Sequence, residues 1–210
     1  MSDSAPVRLH RRLVMTRRVG VLARAAAKLI PQRINSVLDV GAGTGEMAVA
    51  LQQLRANLTL TGVDVLVRPN TLIPIQPYDG RHLAIADKSV DAVMLIDVLH
   101  HCDDPLLVMQ ECLRVSREGV LIKDHIAENR WQRLVLAFMD WVGNRAHHVA
   151  LPNNYWSSQQ WREALQACGI QVIHKTDNLA LYPVPFAWIF GGRLHSFWWL
   201  ERSSEESGHA

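Results

Sequence analysis

The sequence predicts an α/β three-layer sandwich, a mostly parallel seven-stranded sheet with helices on both faces and an antiparallel terminal hairpin strand. Three observations predict it. From residue 36 to 123, short apolar runs alternate with helix-length segments, the pattern of parallel strands joined by helical crossovers. One of those runs, Ser36 to Val40, passes directly into the alternating glycines Gly41, Gly43 and Gly45, the tight strand-to-helix turn of a doubly wound sheet. Two β-rich runs close the chain, at 170–178 and 192–202, joined by a Pro- and aromatic-rich loop, which reads as an antiparallel hairpin.

In order along the chain, residues 7–30 are rich in Leu, Ala and Arg, with Leu13, Val14, Val21, Leu22, Ala25, Ala26, Leu29 and Ile30 at helical spacings, predicting one or two helices before the sheet. Pro31 stops them. Strands follow at 36–40, 58–63, near 73–76, 90–96 and 118–123, with helices at 46–55 and 105–115. Residues 128–142 read as a further helix, and Ser157 with Gln160 forms a capping box opening another that Gly169 closes. The expected organisation is a basic helical cap over 1–33, one catalytic domain over 34–202 and a disordered tail over 203–210.

Length and composition fit that plan. A chain of 210 residues, 49% hydrophobic, suits a single domain with a substantial core. Its longest apolar stretches fall short of a membrane span, its first residues lack a secretory signal, and Cys102, Cys112 and Cys168 form no CxxC pair. A cytoplasmic protein is expected. The net charge of +2 hides an asymmetry: residues 1–33 carry +7 and the remainder −5. A basic N-terminus rich in Arg8, Arg11, Arg12, Arg17 and Arg18 can face solvent, a phosphate-bearing acceptor, RNA or an anionic membrane.

The most informative segment is Asp39-Val40-Gly41-Ala42-Gly43-Thr44-Gly45. Glycines let a ligand lie against bare backbone, and the helix that follows offers free N–H groups. A second strand delivers Asp64, followed by Val65, at its carboxyl end, where a carboxylate can accept both hydroxyls of a ribose. Asp79-Gly80 follows, then Leu83-Ala84-Ile85-Ala86-Asp87-Lys88-Ser89-Val90-Asp91, and Asp97-Val98-Leu99-His100-His101 ends the strand at 90–96.

With these four spaced segments the chain resembles the class I S-adenosylmethionine-dependent methyltransferases. The likeness is to the small-molecule subgroup that includes the ubiquinone and menaquinone methyltransferases. It runs from about Val37 to Ile122, with a weaker match at 157–168. The resemblance implies a Rossmann-like fold and S-adenosylmethionine as cofactor. It implies that Asp39, Gly41, Ala42, Gly43 and Gly45 cradle the methionine part, that Asp64 and Val65 hold the ribose, and that Asp79 and Gly80 lie beside the adenine. Asp97 and Val98 would close over the methionine end, with His100 facing the acceptor. The family's usual Leu-Pro-Phe-Pro is here Leu83-Ala84-Ile85-Ala86, so the adenine pocket is expected to differ in detail.

Methyl transfer from a sulfonium needs positioning above all, and a base only where the acceptor must lose a proton. His101 and His125 stand at carboxyl ends of strands and are the candidate bases, with Asp124 able to orient a neighbouring group. Asn154 and Tyr155, before the capped helix, are candidate acceptor contacts, and 13 of the 14 aromatic residues lie after residue 130, so the acceptor pocket is expected there. His147-His148 with His100, His101 and His125 show no HExxH or comparable spacing, and no metal is expected.

The expected reaction is methylation of an oxygen or carbon on a small, largely apolar acceptor, since the segment after the fourth strand lacks the Asn/Asp-Pro-Pro-Tyr of many amino-group methylators. No nucleic-acid partner is expected, and peripheral contact with an anionic membrane is open. Three alternatives remain: an RNA or protein methyltransferase using the basic N-terminus, a nicotinamide-dependent oxidoreductase, and a non-catalytic binding module. The oxidoreductase is the weaker, because GxGxG followed by Glu46 is not the GxGxxG of dinucleotide sites.

Overall fold

The protein is described from a computed structural model. It describes residues 5–144, 154–177, 179–182 and 194–203, the side chains of 5–15 and 143–144 excepted. The elements are α1 (Ala5–Leu29), β1 (Ser36–Val40), α2 (Glu46–Leu54), β2 (Thr59–Asp64), β3 (Ile75–Pro77), β4 (Val90–Ile96), a 3₁₀ turn (Leu99–His101) and α3 (Pro105–Val115). They continue with β5 (Ser116–His125), α4 (Arg130–Asn144), α5 (Ser158–Ala167), β6 (Ile170–Thr176) and β7 (His195–Arg202).

The seven strands form one sheet in the order β3-β2-β1-β4-β5-β7-β6. All pairs up to β4 with β5 are parallel, and β7 is antiparallel to both β5 and β6. The predicted hairpin is thus present, with its last strand inserted beside β5. Alternating side chains of each strand enter opposite layers. Leu38, Val40, Val93, Leu95, Val120, Ile122, Trp198 and Leu200 bury against α3 and α5 residues such as Met109, Cys112, Trp161 and Leu165. Val37, Ala92, Met94, Leu121, Phe197 and Trp199 bury against Leu22, Ala26 and Leu29 of α1 and Ala48 and Leu51 of α2.

The N-terminal region is one helix, since nothing between Ala5 and Leu29 breaks its apolar spacing. β5 runs to His125, two residues past the expected end at 123, because Asp124 and His125 keep pairing with Ser196 and His195 of β7. No helix among the described residues is long and apolar enough to cross a membrane. Strand order reverses between β1 and β4, each a neighbour of the other but fed from opposite sides, and this switch point opens a crevice beyond the carboxyl ends of those strands. The capping box at Ser157 and Gln160 is formed as expected.

The aromatic second half is divided. Phe197, Trp198 and Trp199 are core residues, and Trp161 meets Trp156 and Trp198 at ring separations of 4.9 and 4.8 Å. Trp131 and Trp141 stand exposed on α4. Several aromatics expected in an acceptor pocket therefore hold the hairpin to the sheet. Trp188, His147 and His148 lie outside the described residues.

Candidate active site

The glycine loop leaves β1 through two hydrogen bonds to one carbonyl, from Gly41 N–H and Ala42 N–H to Val63 O at 2.8 and 3.2 Å. Gly41 has φ +73, and a Cβ there would stand 2.6 Å from Val98 Cγ2. Gly43, at φ +61, has nothing within 4 Å of the same added atom. The loop is tightly seated at its start and open toward the crevice at its middle, which is the cradle a nucleotide-type ligand needs. Asp64, at the end of β2, accepts Gly43 N–H on Oδ2 at 2.7 Å and Leu66 N–H on Oδ1 at 2.9 Å. Each oxygen keeps a lone pair, so the carboxylate can still take both hydroxyls of a ribose diol.

Asp39 is buried behind the loop, and its Oδ2 has no hydrogen-bond partner among the described residues. Burial, with the negative charge of Asp64, pushes its carboxyl up to about 8. This is an acid poised to receive a donor, and it has a measurable consequence. The unfolded chain releases this proton near the ordinary value of 3.8 and the folded chain only near 8, so Asp39 costs stability increasingly as pH rises through that window. Asp39→Asn should therefore stabilise the ligand-free protein above pH 8 and leave it nearly unchanged near pH 4. Melting temperatures of both proteins from pH 4 to 9 test this, and a difference constant with pH would contradict it.

Beyond β2, Val65 is 60% exposed, and its Cγ1 would lie 3.2 Å from a Cβ at Gly80. The two residues form an apolar ledge that a flat ring can cover. Asp79 is exposed and accepts Arg81 and His82 N–H, both at 2.7 Å, which holds its carboxyl below the usual range. The departing segment 83–87 is clamped by Arg114 of α3. That guanidinium donates to Leu83 O (2.8 Å), Ile85 O (2.9 Å) and Asp87 Oδ1 (2.6 Å).

The carboxyl ends of β4 and β5 carry a dense group of ionisable side chains. Asp97 sits at φ +59, rare for a residue with a side chain. Its carboxylate pairs with Lys123 of β5 and Arg18 of α1, with His125 Nε2 at 3.5 Å. Burial disfavours the charged carboxylate, but Lys123 and Arg18 outweigh it and hold Asp97 well below the usual range. Burial also lowers Lys123, against the pull of Asp97. Lys123 Nζ meets His195 Nδ1 at 3.2 Å.

Beside this ion triplet, Asp124 accepts Leu99 N–H on Oδ2 at 2.9 Å and faces His100 Nδ1 with Oδ1 at 2.6 Å. The other ring nitrogen of His100 lies 3.3 Å from Asp140 Oδ2 of α4, and that same oxygen accepts the Tyr155 hydroxyl. Burial opposes a charge on His100, but Asp124 and Asp140 together lift it to about 10. Burial and the neighbouring cations Lys123 and His100 push His125 far down. His101, half-buried with its ring 4.0 Å from that of His100, is lowered by burial and by His100.

The fold therefore brings the histidines after β4 and β5 into one cluster, but redistributes their roles. Asp124 orients His100, not either candidate base. His100 and Tyr155 are both about 2% exposed, so they form the wall behind the crevice. Asn154 anchors the loop: its side-chain amide donates to Cys102 O at 2.7 Å and its backbone N–H to His100 O at 3.1 Å. Lys123, Asp140 and His195 join the cluster without a signal in the motifs, and Arg18 of the basic N-terminus pairs inward with Asp97. Lys123 directly follows the apolar Val120-Leu121-Ile122 of β5, and Asp140 stands between apolar residues of α4.

A seven-stranded sheet with an antiparallel β7, a glycine loop at the switch point and a ribose-suited acid after β2 define the fold of the class I S-adenosylmethionine-dependent methyltransferases. The sequence model of the family described as "Methyltransferase domain" matches residues 10–175, and the chain belongs to that family.

Among curated relatives, an uncharacterized methyltransferase of Mycobacterium sp. (strain KMS) is 31% identical over 137 residues, covering 62% of this chain and 48% of the relative. The ubiquinone biosynthesis O-methyltransferase of Klebsiella pneumoniae (strain 342) is 27% identical, over 53% of this chain and 48% of its own length. The chain thus matches about half the length of these relatives. A SAM-dependent methyltransferase from Thermotoga maritima superposes with a TM-score of 0.62 at 18% identity, over 93% of this chain and 96% of that one. This last likeness is one of fold.

Proposed function

We propose that the chain transfers the methyl group of S-adenosylmethionine to an oxygen or carbon of a small, largely apolar acceptor. The observation that carries this reading is the position of the histidine cluster. Val98 touches the glycine loop at Gly41, and the next residues are the 3₁₀ turn that bears His100 and His101. A proton-accepting group thus stands beside the cofactor cradle.

Asp39, Gly41, Ala42, Gly43 and Gly45 would line the methionine side, Asp64 and Val65 the ribose, and Asp79 and Gly80 the adenine edge. Asp97 and Val98 would close the inner end. The cofactor supplies a methyl group already activated on a sulfonium. What the chain adds is placement, exclusion of water by the buried wall of His100, His125 and Tyr155, and a base at His101, whose ring is half-buried and whose Nδ1 has no hydrogen-bond partner among the described residues. Asp124 acts through His100, on whose ring His101 rests.

An apolar acceptor suits the outer face of α4. Trp131, Leu134, Phe138, Trp141 and Val142 are exposed there, within about 100° of helix arc, and the exposed Arg130 and Arg133 belong to the same helix. An anionic membrane surface would satisfy both features. The name of the Klebsiella relative, a ubiquinone biosynthesis O-methyltransferase, points to an apolar acceptor as well.

The test is incubation of purified protein with methyl-labelled S-adenosylmethionine and fractionated cell extract, read by mass spectrometry. Label is expected in a small molecule of the lipid-soluble fraction, on oxygen or carbon, with turnover falling at least tenfold in His101→Ala at unchanged cofactor affinity. Label confined to RNA or protein would overturn the acceptor class. Full activity in His101→Ala would leave proximity and desolvation as the whole mechanism.

A further inference from the structure

We propose that His100, His125 and Asp140 are the ligands of a divalent transition-metal site of the zinc type, with Asp124 and Tyr155 as outer partners. Metal binding here is a property of the apo-protein and does not depend on the identity of the acceptor.

The three residues come from separate places: the 3₁₀ turn after β4, the end of β5 and the middle of α4. One ligand atom from each lies within 4.8 Å of the other two. His100 Nε2 is 3.3 Å from Asp140 Oδ2, and His125 Nε2 is 4.0 Å from Asp140 Oδ1. Nitrogen and oxygen ligands at about 2.0–2.2 Å around a tetrahedral ion stand roughly 3.3–3.6 Å apart. One edge of the triangle already has that length, and an edge of 4.8 Å must close by roughly 1.2–1.5 Å.

The surroundings are those of a metal site. His100 presents Nδ1 to Asp124 Oδ1 at 2.6 Å. That contact keeps a proton on Nδ1, so that Nε2, once an incoming ion displaces the proton it shares with Asp140, turns its lone pair to the metal in the carboxylate–histidine–metal arrangement. His100 Nε2 is buried and makes no hydrogen bond of good geometry. Asp140, the carboxylate ligand, is itself held by the Tyr155 hydroxyl.

Charge also fits. Asp97, Asp124 and Asp140 face the cations Lys123 and Arg18, so the cluster is left one negative charge in excess when its histidines are neutral. A dication carrying a hydroxide at its open position adds one positive charge and balances that excess. Two imidazoles and one carboxylate select a zinc-like ion over magnesium or calcium. Three protein ligands leave a fourth position for water or a hydroxyl.

Sequence spacing did not show this site because its members are 15 or more positions apart, and only the turn after β4 and the middle of α4 make them neighbours. The test uses the full chain stripped of metal and titrated with cobalt(II) and zinc, followed by visible absorption and calorimetry. Wild type is expected to bind one ion per chain with the intense visible bands of four-coordinate cobalt. His125→Ala and the isosteric Asp140→Asn should each weaken binding at least a hundredfold, and Asp124→Asn about tenfold or more.

Circular dichroism establishes the fold of each variant, and if one of them fails to fold the other two locate the ion. Absence of one-to-one binding near neutral pH overturns the proposal. So does binding that survives both Asp140→Asn and His125→Ala, which would place the ion elsewhere, as at His147 and His148.

Discussion

Asp64→Ala is expected to lower affinity for S-adenosylmethionine by a factor of about a hundred or more. The carboxylate stands at the end of β2 with Gly43 N–H on one oxygen, so it both offers acceptors to a ribose and braces the open middle of the glycine loop. Hydrogen bonds to a charged group are worth about 1.5–3 kcal/mol each, and losing two of them amounts to roughly two or more orders of magnitude in affinity. Truncation also leaves Gly43 N–H without its acceptor. Asp64→Asn keeps the side-chain volume and should fall between wild type and alanine. Calorimetric titration decides the matter: affinity in Asp64→Ala within threefold of wild type would remove the ribose role from this residue. Binding of a nicotinamide dinucleotide in place of S-adenosylmethionine would return the oxidoreductase reading.

That prediction rests on a part of the molecule that could be read without coordinates. Val37 to Gly45 is a local signal, in which a buried strand, a turn needing positive φ and a helix start occupy consecutive residues, and short-range sterics dictate the outcome. The same holds for the Ser157 capping box. Asp97, His100, His101 and Asp124 were legible as a set because strand ends in a parallel sheet converge on one edge.

Their pairing was not legible. Whether Asp124 meets His100 or His125 depends on the 3₁₀ turn at Leu99, where the Asp124 carboxylate captures Leu99 N–H, and nothing in the spacing announces such a turn. Asp140 was less accessible still. It lies on α4, whose sequence alone shows an amphipathic helix, and a single acid opposite the apolar face reads as a solvent contact. Only the approach of α4 to Tyr155 and His100 turns it inward. The aromatic residues of the second half divide between core and surface. Trp198 and Trp199 follow each other in a strand, so one enters each layer of the core as sheet packing.

The largest stability loss is expected at Lys123, a residue the sequence marked only as the last position of a strand. Its side chain is fully buried, paired with Asp97 and close to His195 Nδ1. Desolvating an ammonium is costly, and the pair is tolerated because the partner carboxylate is buried beside it. Lys123→Met keeps the length and removes the charge, which leaves Asp97 in its positive-φ conformation with Arg18 as its remaining cation. Breaking a buried pair on one side typically costs about 3–5 kcal/mol, enough to place an ordinary domain near its unfolding threshold. Removing Asp97 as well strips Arg18 of its carboxylate partner, so the double variant Asp97→Asn with Lys123→Met is expected to be no more stable than Lys123→Met alone. Urea unfolding of the wild type, both single variants and the double variant measures this coupling. If Lys123→Met unfolds within about 1 kcal/mol of wild type, the ion pair does not hold β4 to β5, and the position of Asp97 beside the cofactor cradle must be maintained by Arg18 of the N-terminal helix.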